Sequence, residues 1–430
     1  MNLKFLPGLA LIFGLTGCAH EKKQIVSAVF IDSLINHYRE PDIAISNDSN
    51  IVFWRNRIHP ELPGLVSESK YAAALTFRFH LFGDIGDIQM AERVNRKIDS
   101  DFNGKEAQVA LTLARYSILQ HRFKEADDWL INATRTGLKK YDRLTAAFDV
   151  DFELGRYFNA SNELKELKSD AGYGYFFRRS KMDHLNGQLD SSIHAMMRAA
   201  ELEENNPYLK QVAMGNAADL YIHAGELEKA AALYEQCVQM NSADFHCLQG
   251  LGWIALVHDR NDKLAEKIFS FIRSKNKLPD ALFKLTQMAD ARGDRDLETA
   301  YAKSFARQAG DPVYGRMYDK YLIELNTGIL HNPALAEHIA EKELDNRTTP
   351  QTWAWYAWTL FSNNKKDQAY AVFEKNVSGR PLEGQELYWM GKMMQGLNRG
   401  FNARAFYQAA YLNKYDLSPG ILKDLENQLD

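Results

Sequence analysis

A spacing of 34 residues separates His121, Ala126 and Leu130 from Gly155, Ala160 and Leu164, and this repetition constrains the chain more than any other feature. The same frame, a turn residue, a small residue five later and a large residue four after that, recurs as Gly225, Ala230, Tyr234 and as Asn398, Ala403, Tyr407. A fixed period in this range marks a stacked helical-repeat array, in which no unit can bury its apolar face alone. With 430 residues the chain would ordinarily suggest several domains, but a solenoid lengthens without a single central core. No stretch of strand periodicity competes, and 11 prolines leave room for helices throughout.

Pairs of helices are expected from residue 69 to residue 417, about ten in all, after a helical lead-in over 18–68 and before a capping helix over 418–430. The lead-in reads as an amphipathic helix from Lys22 to Tyr38, then a short helix through Phe53 and Trp54 that Pro60 and Pro63 end. Pro207 to Lys210 reads as a small insertion, and Glu298 stands where a small residue is expected. Small residues at Ala126, Ala160, Ser192, Ala230, Ala369 and Ala403 fall where the two helices of a pair cross, so added volume there would overpack the contact.

The units resemble the tetratricopeptide repeat. In 211–244 the matching residues are Met214, Ala217, Ala218, Tyr221, Gly225, Leu227, Ala230, Tyr234 and Cys237. In 350–383 they are Trp353, Tyr356, Ala357, Leu360, Ala369, Phe373 and Pro381, and in 384–417 Leu387, Met390, Gly391, Met394, Asn398, Ala403, Tyr407 and Ala410. The resemblance implies an all-α, right-handed α-solenoid of stacked helix-turn-helix units whose first helices line a concave groove. It places Arg115, Phe177, Lys181, Asp219, Trp253, Trp358, Tyr388 and Lys392 in that groove, with Leu111, His223, Phe283 and Gln287 beside them. Aromatic anchors and cations suit a peptide or protein partner, because rings bury rigid area and cations pair with carboxylates. The Lys and Asn of a carboxylate clamp are not reproduced by Thr145 and Asp149 or by Gly215 and Asp219. Trp353 and Tyr356 are expected in the repeat core and Trp355 and Trp358 to point elsewhere, an exposed pair that a self-associating subunit could use.

The N-terminus carries a second signal. Lys4 precedes an apolar stretch from Phe5 to Leu15, the length of a signal segment and shorter than the roughly 20 residues a spanning helix needs. It ends in Leu15-Thr16-Gly17-Cys18, which resembles the lipobox of bacterial lipoproteins. That resemblance implies a signal peptide over 1–17, a diacylglycerol on the Cys18 sulfur and an acylated new amino terminus, hence membrane attachment through lipid. Ala19 replaces the Asp that commonly retains such proteins at the inner membrane, so the outer membrane, periplasmic face, is the expected location. In an oxidising compartment Cys237 and Cys247 could staple neighbouring repeats or remain buried thiols.

Several function classes lack support in the residues. The net charge of −4 shows no basic stripe for nucleic acid. No G-x-S-x-G, H-E-x-x-H, G-x4-G-K or Cys-x2-Cys motif is present, so neither an enzyme, a metal site nor a cofactor is expected. Asp99-x-Asp101-x-Asn103-Gly104 opens like a calcium loop, but Ala110 stands where a bidentate Glu belongs, and a polar turn between repeats explains it better. The expectation is a scaffold for an envelope assembly, secretion or transport system.

Overall fold

The computed structural model describes residues 23–59, 61–398, 400 and 402–430; the signal segment and Cys18 lie outside them. Within these residues the chain is helical, with no strand. Helices α1 (Ala28–Asn36) and α2 (Asp42–Arg55) precede ten antiparallel pairs. Pair 1 is α3 (Val66–Phe82) with α4 (Ile85–Asp101), and pair 2 is α5 (Ala107–Leu119) with α6 (Phe123–Thr136). Pair 3 is α7 (Lys140–Glu153) with α8 (Tyr157–Leu167), and pair 4 is α9 (Tyr173–Leu185) with α10 (Leu189–Leu202). Pair 5 is α11 (Pro207–His223) with α12 (Leu227–Met240), and pair 6 is α13 (Phe245–Val257) with α14 (Asp262–Lys275). Pair 7 is α15 (Asp280–Arg292) with α16 (Arg295–Ala309), and pair 8 is α17 (Asp319–Thr327) with α18 (Pro333–Asn346). Pair 9 is α19 (Pro350–Ser362) with α20 (Lys366–Asn376), pair 10 is α21 (Gly384–Leu397) with α22 (Ala403–Tyr411), and α23 (Pro419–Leu429) covers the end.

The small positions explain why each pair closes. Ala126, Ala160, Ser192, Ala230 and Ala369 are fully buried at their helix crossings, and Ala403 is half-buried. On the facing helix the same demand appears as glycine. A Cβ on Gly391 would stand 2.5 Å from the Tyr407 ring, and one on Gly252 2.6 Å from the Phe269 ring. Ring and backbone therefore approach to a distance that only hydrogen permits.

Two local expectations are corrected. The first helix begins at Ala28 rather than Lys22, because the Asp259 carboxylate accepts hydrogen bonds from Ile25 N and Val26 N, each at 2.9 Å, and holds that segment in a bend against pair 6. Pro207–Lys210 is no insertion. It forms the first turn of α11, with Pro207 at the first helical position and Asn206 capping Leu209 N at 3.3 Å. Glu298 is buried on α16, yet pair 7 forms, because its carboxylate meets Arg295 at 2.7 Å.

The solenoid coils tightly enough to touch itself, and the contacts follow one rule. The turn inside pair n meets the connection after pair n + 5. For pair 1, Lys277 N donates to Phe82 O at 2.8 Å and Lys277 Nζ to Asp84 Oδ2 at 2.6 Å. For pair 2, Arg316 N donates to Gln120 O at 3.0 Å; in addition to that rule, Asn346 at the end of pair 8 donates to His121 O at 2.7 Å and accepts from Phe123 N at 2.8 Å. For pair 3, Arg347 reaches Glu153 Oε2 at 3.1 Å. For pair 5, His223 Nδ1 and Asp416 Oδ2 lie 2.7 Å apart. Five pairs and a connection complete one superhelical turn, and a polar seam closes it.

Ala230→Lys should lower unfolding free energy by at least about 3 kcal/mol in denaturant titration, by burying an unpaired charge at the pair 5 crossing. Glu228→Lys, on the exposed side of the same helix, should change it little.

Candidate functional site

The seam has one gap. At n = 4 the turn Asn186–Leu189 and the connection Pro381–Glu383 stand on opposite sides of a cavity of about 830 Å³. Gly187, at φ +71°, makes the turn tight, and nothing lies within 4 Å of where its Cβ would be. The walls come from the first helices of pairs 3, 4 and 5 on one side and of pairs 8, 9 and 10 on the other.

The lining alternates in charge. Glu153 receives Lys181 at 3.2 Å and Arg347 at 3.1 Å. Burial opposes its charge, but the two cations outweigh that and hold its pKa below the usual value. Arg347 also bonds the buried Glu343 at 2.6 Å and lies over the Trp355 ring at 5.6 Å. Lys320 meets the buried Glu386 at 2.8 Å, and the same Glu386 oxygen accepts from Trp355 Nε1 at 2.7 Å. The second oxygen, Oε2, is buried without a hydrogen-bond partner. His184 and His223 rings lie 4.9 Å apart. Burial holds the His184 pKa down, helped by the charge of His223. Burial works against a charge on His223 too, but the Asp416 hydrogen bond and charge prevail and raise its pKa. His121 is driven down to about 4, by burial first and Arg347 second, so its imidazole is neutral. Tyr157 and Tyr321, each pushed up to about 12 chiefly by burial, contribute neutral hydroxyls. Such a wall offers donors and acceptors in turn, with aromatic surface between them.

Of the eight residues that the sequence assigns to a groove, Lys181 lines this cavity. Arg115 is exposed on α5, and Phe177 is half-buried, stacked on Tyr173 at 5.6 Å between ring centres. Asp219 is bonded by Tyr234 Oη at 2.6 Å and His246 Nε2 at 3.0 Å. Trp253 is buried, donates to Tyr415 O at 2.7 Å and carries the Lys284 ammonium 3.6 Å above its ring. Tyr388 Oη and Lys392 Nζ both bond Asp424 of α23, at 2.6 and 3.0 Å. Leu111 and Phe283 are core residues. The open groove is thus corrected: the second superhelical turn and the C-terminal segment occupy much of it.

Trp355 and Trp358 are corrected likewise. Trp355 is buried on Glu386, and Trp358 stacks on Trp389 at 5.8 Å and 3° while donating to Thr327 Oγ1 at 3.0 Å. They join pairs 8, 9 and 10 rather than forming an exposed surface. Cys237 and Cys247 are buried free thiols at the junction of pairs 5 and 6. In the 99–104 segment Asn103 and Gly104 take consecutive positive φ angles as a turn, and Asp101 is paired with Lys97 at 2.5 Å. Lys284, which no sequence pattern singled out, is pushed down to about 8 by burial over Trp253.

The tetratricopeptide repeat family matches residues 212–244, the unit formed by α11 and α12. Among curated proteins none matches. Similar solved structures include one titled for Pseudomonas aeruginosa pilF, at 12% identity over 50% of this chain and 97% of that one, with a TM-score of 0.37. A tetratricopeptide repeat protein from Parabacteroides merdae is 16% identical over 59% of this chain and 99% of that one, TM-score 0.34. The P58(IPK) tetratricopeptide domain is 12% identical over 86% and 99%, TM-score 0.25. The matched repeat and the solenoid together define a protein-interaction scaffold as a class.

The His223–Asp416 contact should be pH-dependent. A raised histidine pKa gives stability that is fully present below about pH 6.5 and is lost as pH rises through the folded-state value. The melting-temperature gap between wild type and Asp416→Asn should therefore be largest near pH 6 and shrink toward pH 8. A gap independent of pH would remove the charge from that contact.

Proposed function

We propose that this chain is a lipid-anchored, non-enzymatic scaffold on the periplasmic face of a bacterial outer membrane, holding an extended segment of a partner protein for an assembly, secretion or transport system. The cavity at the pair 4 gap carries the reading. An extended peptide alternates amide donors and carbonyl acceptors. The alternating Glu153, Lys181, Arg347, Lys320 and Glu386 wall offers complementary groups, and the unpartnered Glu386 Oε2 needs a donor. The volume falls in the range of ordinary ligand sites, which admits a short segment rather than a folded domain. Attachment to lipid is supported by Leu15-Thr16-Gly17-Cys18 at the end of an apolar segment.

Affinity capture from envelope extract tests the cavity. Asn186→Trp with Glu383→Lys, both exposed at the rim, should abolish capture of a specific protein without changing the melting temperature, whereas Arg115→Ala should retain it. If the rim variant captures the same protein, the cavity is not the binding site. Incorporation of labelled fatty acid that Cys18→Ser abolishes tests the anchor.

A further inference from the structure

Helix α2 carries several large apolar side chains on its outer side. It packs on α3 through Ala44, Asn47 and Ile51, with Asn47 Nδ2 donating to Ala74 O at 2.9 Å. The opposite face, by helical spacing, carries Asp42, Ile45, Ser46, Ser49, Val52, Phe53 and Asn56. Ile45 is 56% exposed, Val52 59% and Phe53 44%, and Ile43 on the flank is 49% exposed. The helix buries Ile51 and packs Trp54 into the core, yet four further large apolar side chains stand outward beside exposed polar ones, as on a contact surface.

The exposure is local. Of 15 exposed large hydrophobic residues among the described ones, seven (Val29, Ile43, Ile45, Val52, Phe53, Leu62 and Val66) fall between residues 29 and 66. The other eight are spread singly over the ten pairs and the C-terminal segment, as on any soluble surface. We propose that the outer face of α2 lies in the lipid surface beside the Cys18 anchor, seating the solenoid on the bilayer. The proposal rests on the reading that Cys18 is acylated.

Chain geometry places the lipid there. Six residues lie between Cys18 and Ile25, which Asp259 pins, so acyl chains on Cys18 would stand within about 25 Å of that point. From Ile25 the chain runs through α1, and Ser242 Oγ fixes Arg39 O at 2.9 Å just before α2 begins. Anchor and apolar face are thus consecutive on one short stretch. Charge does not drive the contact: residues 23–70 hold five Lys and Arg (23, 39, 55, 57, 70) against six Asp and Glu (32, 40, 42, 48, 61, 68), a balance of −1. Arg57 lies with its guanidinium 3.4 Å from the Phe53 ring centre, an arrangement that lets the ring enter an interface while the cation stays at headgroup level.

The test uses unacylated residues 19–430, which contain every described contact, floated with neutral phosphatidylcholine vesicles. The chain should float, equally at low and high salt. Ile45→Ser, Val52→Ser and Phe53→Ser together should cut the bound fraction at least about tenfold with an unchanged melting temperature. Failure of the wild-type chain to float, flotation confined to anionic vesicles and reversed by salt, or equal flotation of the triple variant would each overturn the proposal. So would a triple variant that only converts a dimer to a monomer, since the face would then meet a second copy. Fatty-acid labelling of Cys18 is read separately. Labelling without flotation defeats this face alone, and flotation without labelling defeats the anchor alone.

Discussion

The contact between the turn of one pair and the connection five pairs further on is what the rest of the structure depends on. An α-solenoid with nearest-neighbour contacts alone is an open spring whose curvature follows from small rotations per unit. Here Lys277 on Phe82, Arg316 on Gln120, Arg347 on Glu153 and Asp416 on His223 tie successive coils together. These are hydrogen bonds and ion pairs, directional and intolerant of a shifted partner, so they set the pitch as apolar packing alone would not. The spring becomes a closed turn.

Closure also determines where a partner can go. The inner faces of pairs 5 to 7 meet the C-terminal segment, through His223 on Asp416, Trp253 on Tyr415 and α15 against α23, while Tyr388 and Lys392 of pair 10 bond Asp424. A cavity therefore opens where the seam parts, between the pair 4 turn and the connection after pair 9, and a smaller one lies beside Gln287, Trp358 and Tyr388. The charged lining follows from the same geometry. First-helix residues that would face water in an open superhelix face one another here; buried Glu386 and Glu343 persist because Lys320, two pairs away on the same wall, and Arg347, four residues further on, pair with them, while Arg347 also reaches Glu153 on the opposite wall.

At the other end, the N-terminal lead-in links pair 6 to pair 1. The segment pinned by Asp259 runs along pair 6 before α2 turns onto pair 1, bridging two coils. Contact of α2 with lipid would thus be felt by both coils that flank the seam. Lys267 on Asp32 at 2.7 Å reinforces the same bridge.

How much of this the amino acids announce depends on the range of the interaction. The helix pairs were legible because their causes are local: Ala126, Ala160 and Ala230 at the crossings, Gly391 against Tyr407, caps such as Asn206 and Pro207. A period near 34 is written within each unit, so the all-helical stacked architecture could be read from the chain directly. Groove positions inferred one repeat at a time went astray at Trp253 and Lys392, and the exposed surface expected at Trp355 did likewise, because their partners, Tyr415, Asp424 and Glu386, are chosen by how the coil closes. Pitch is the accumulated product of many small rotations, and no single residue encodes it. The amino acids by themselves determined the repeating unit; only the tertiary structure, through contacts nearly 200 residues apart such as Glu153 with Arg347 and His223 with Asp416, decided where the interior is empty.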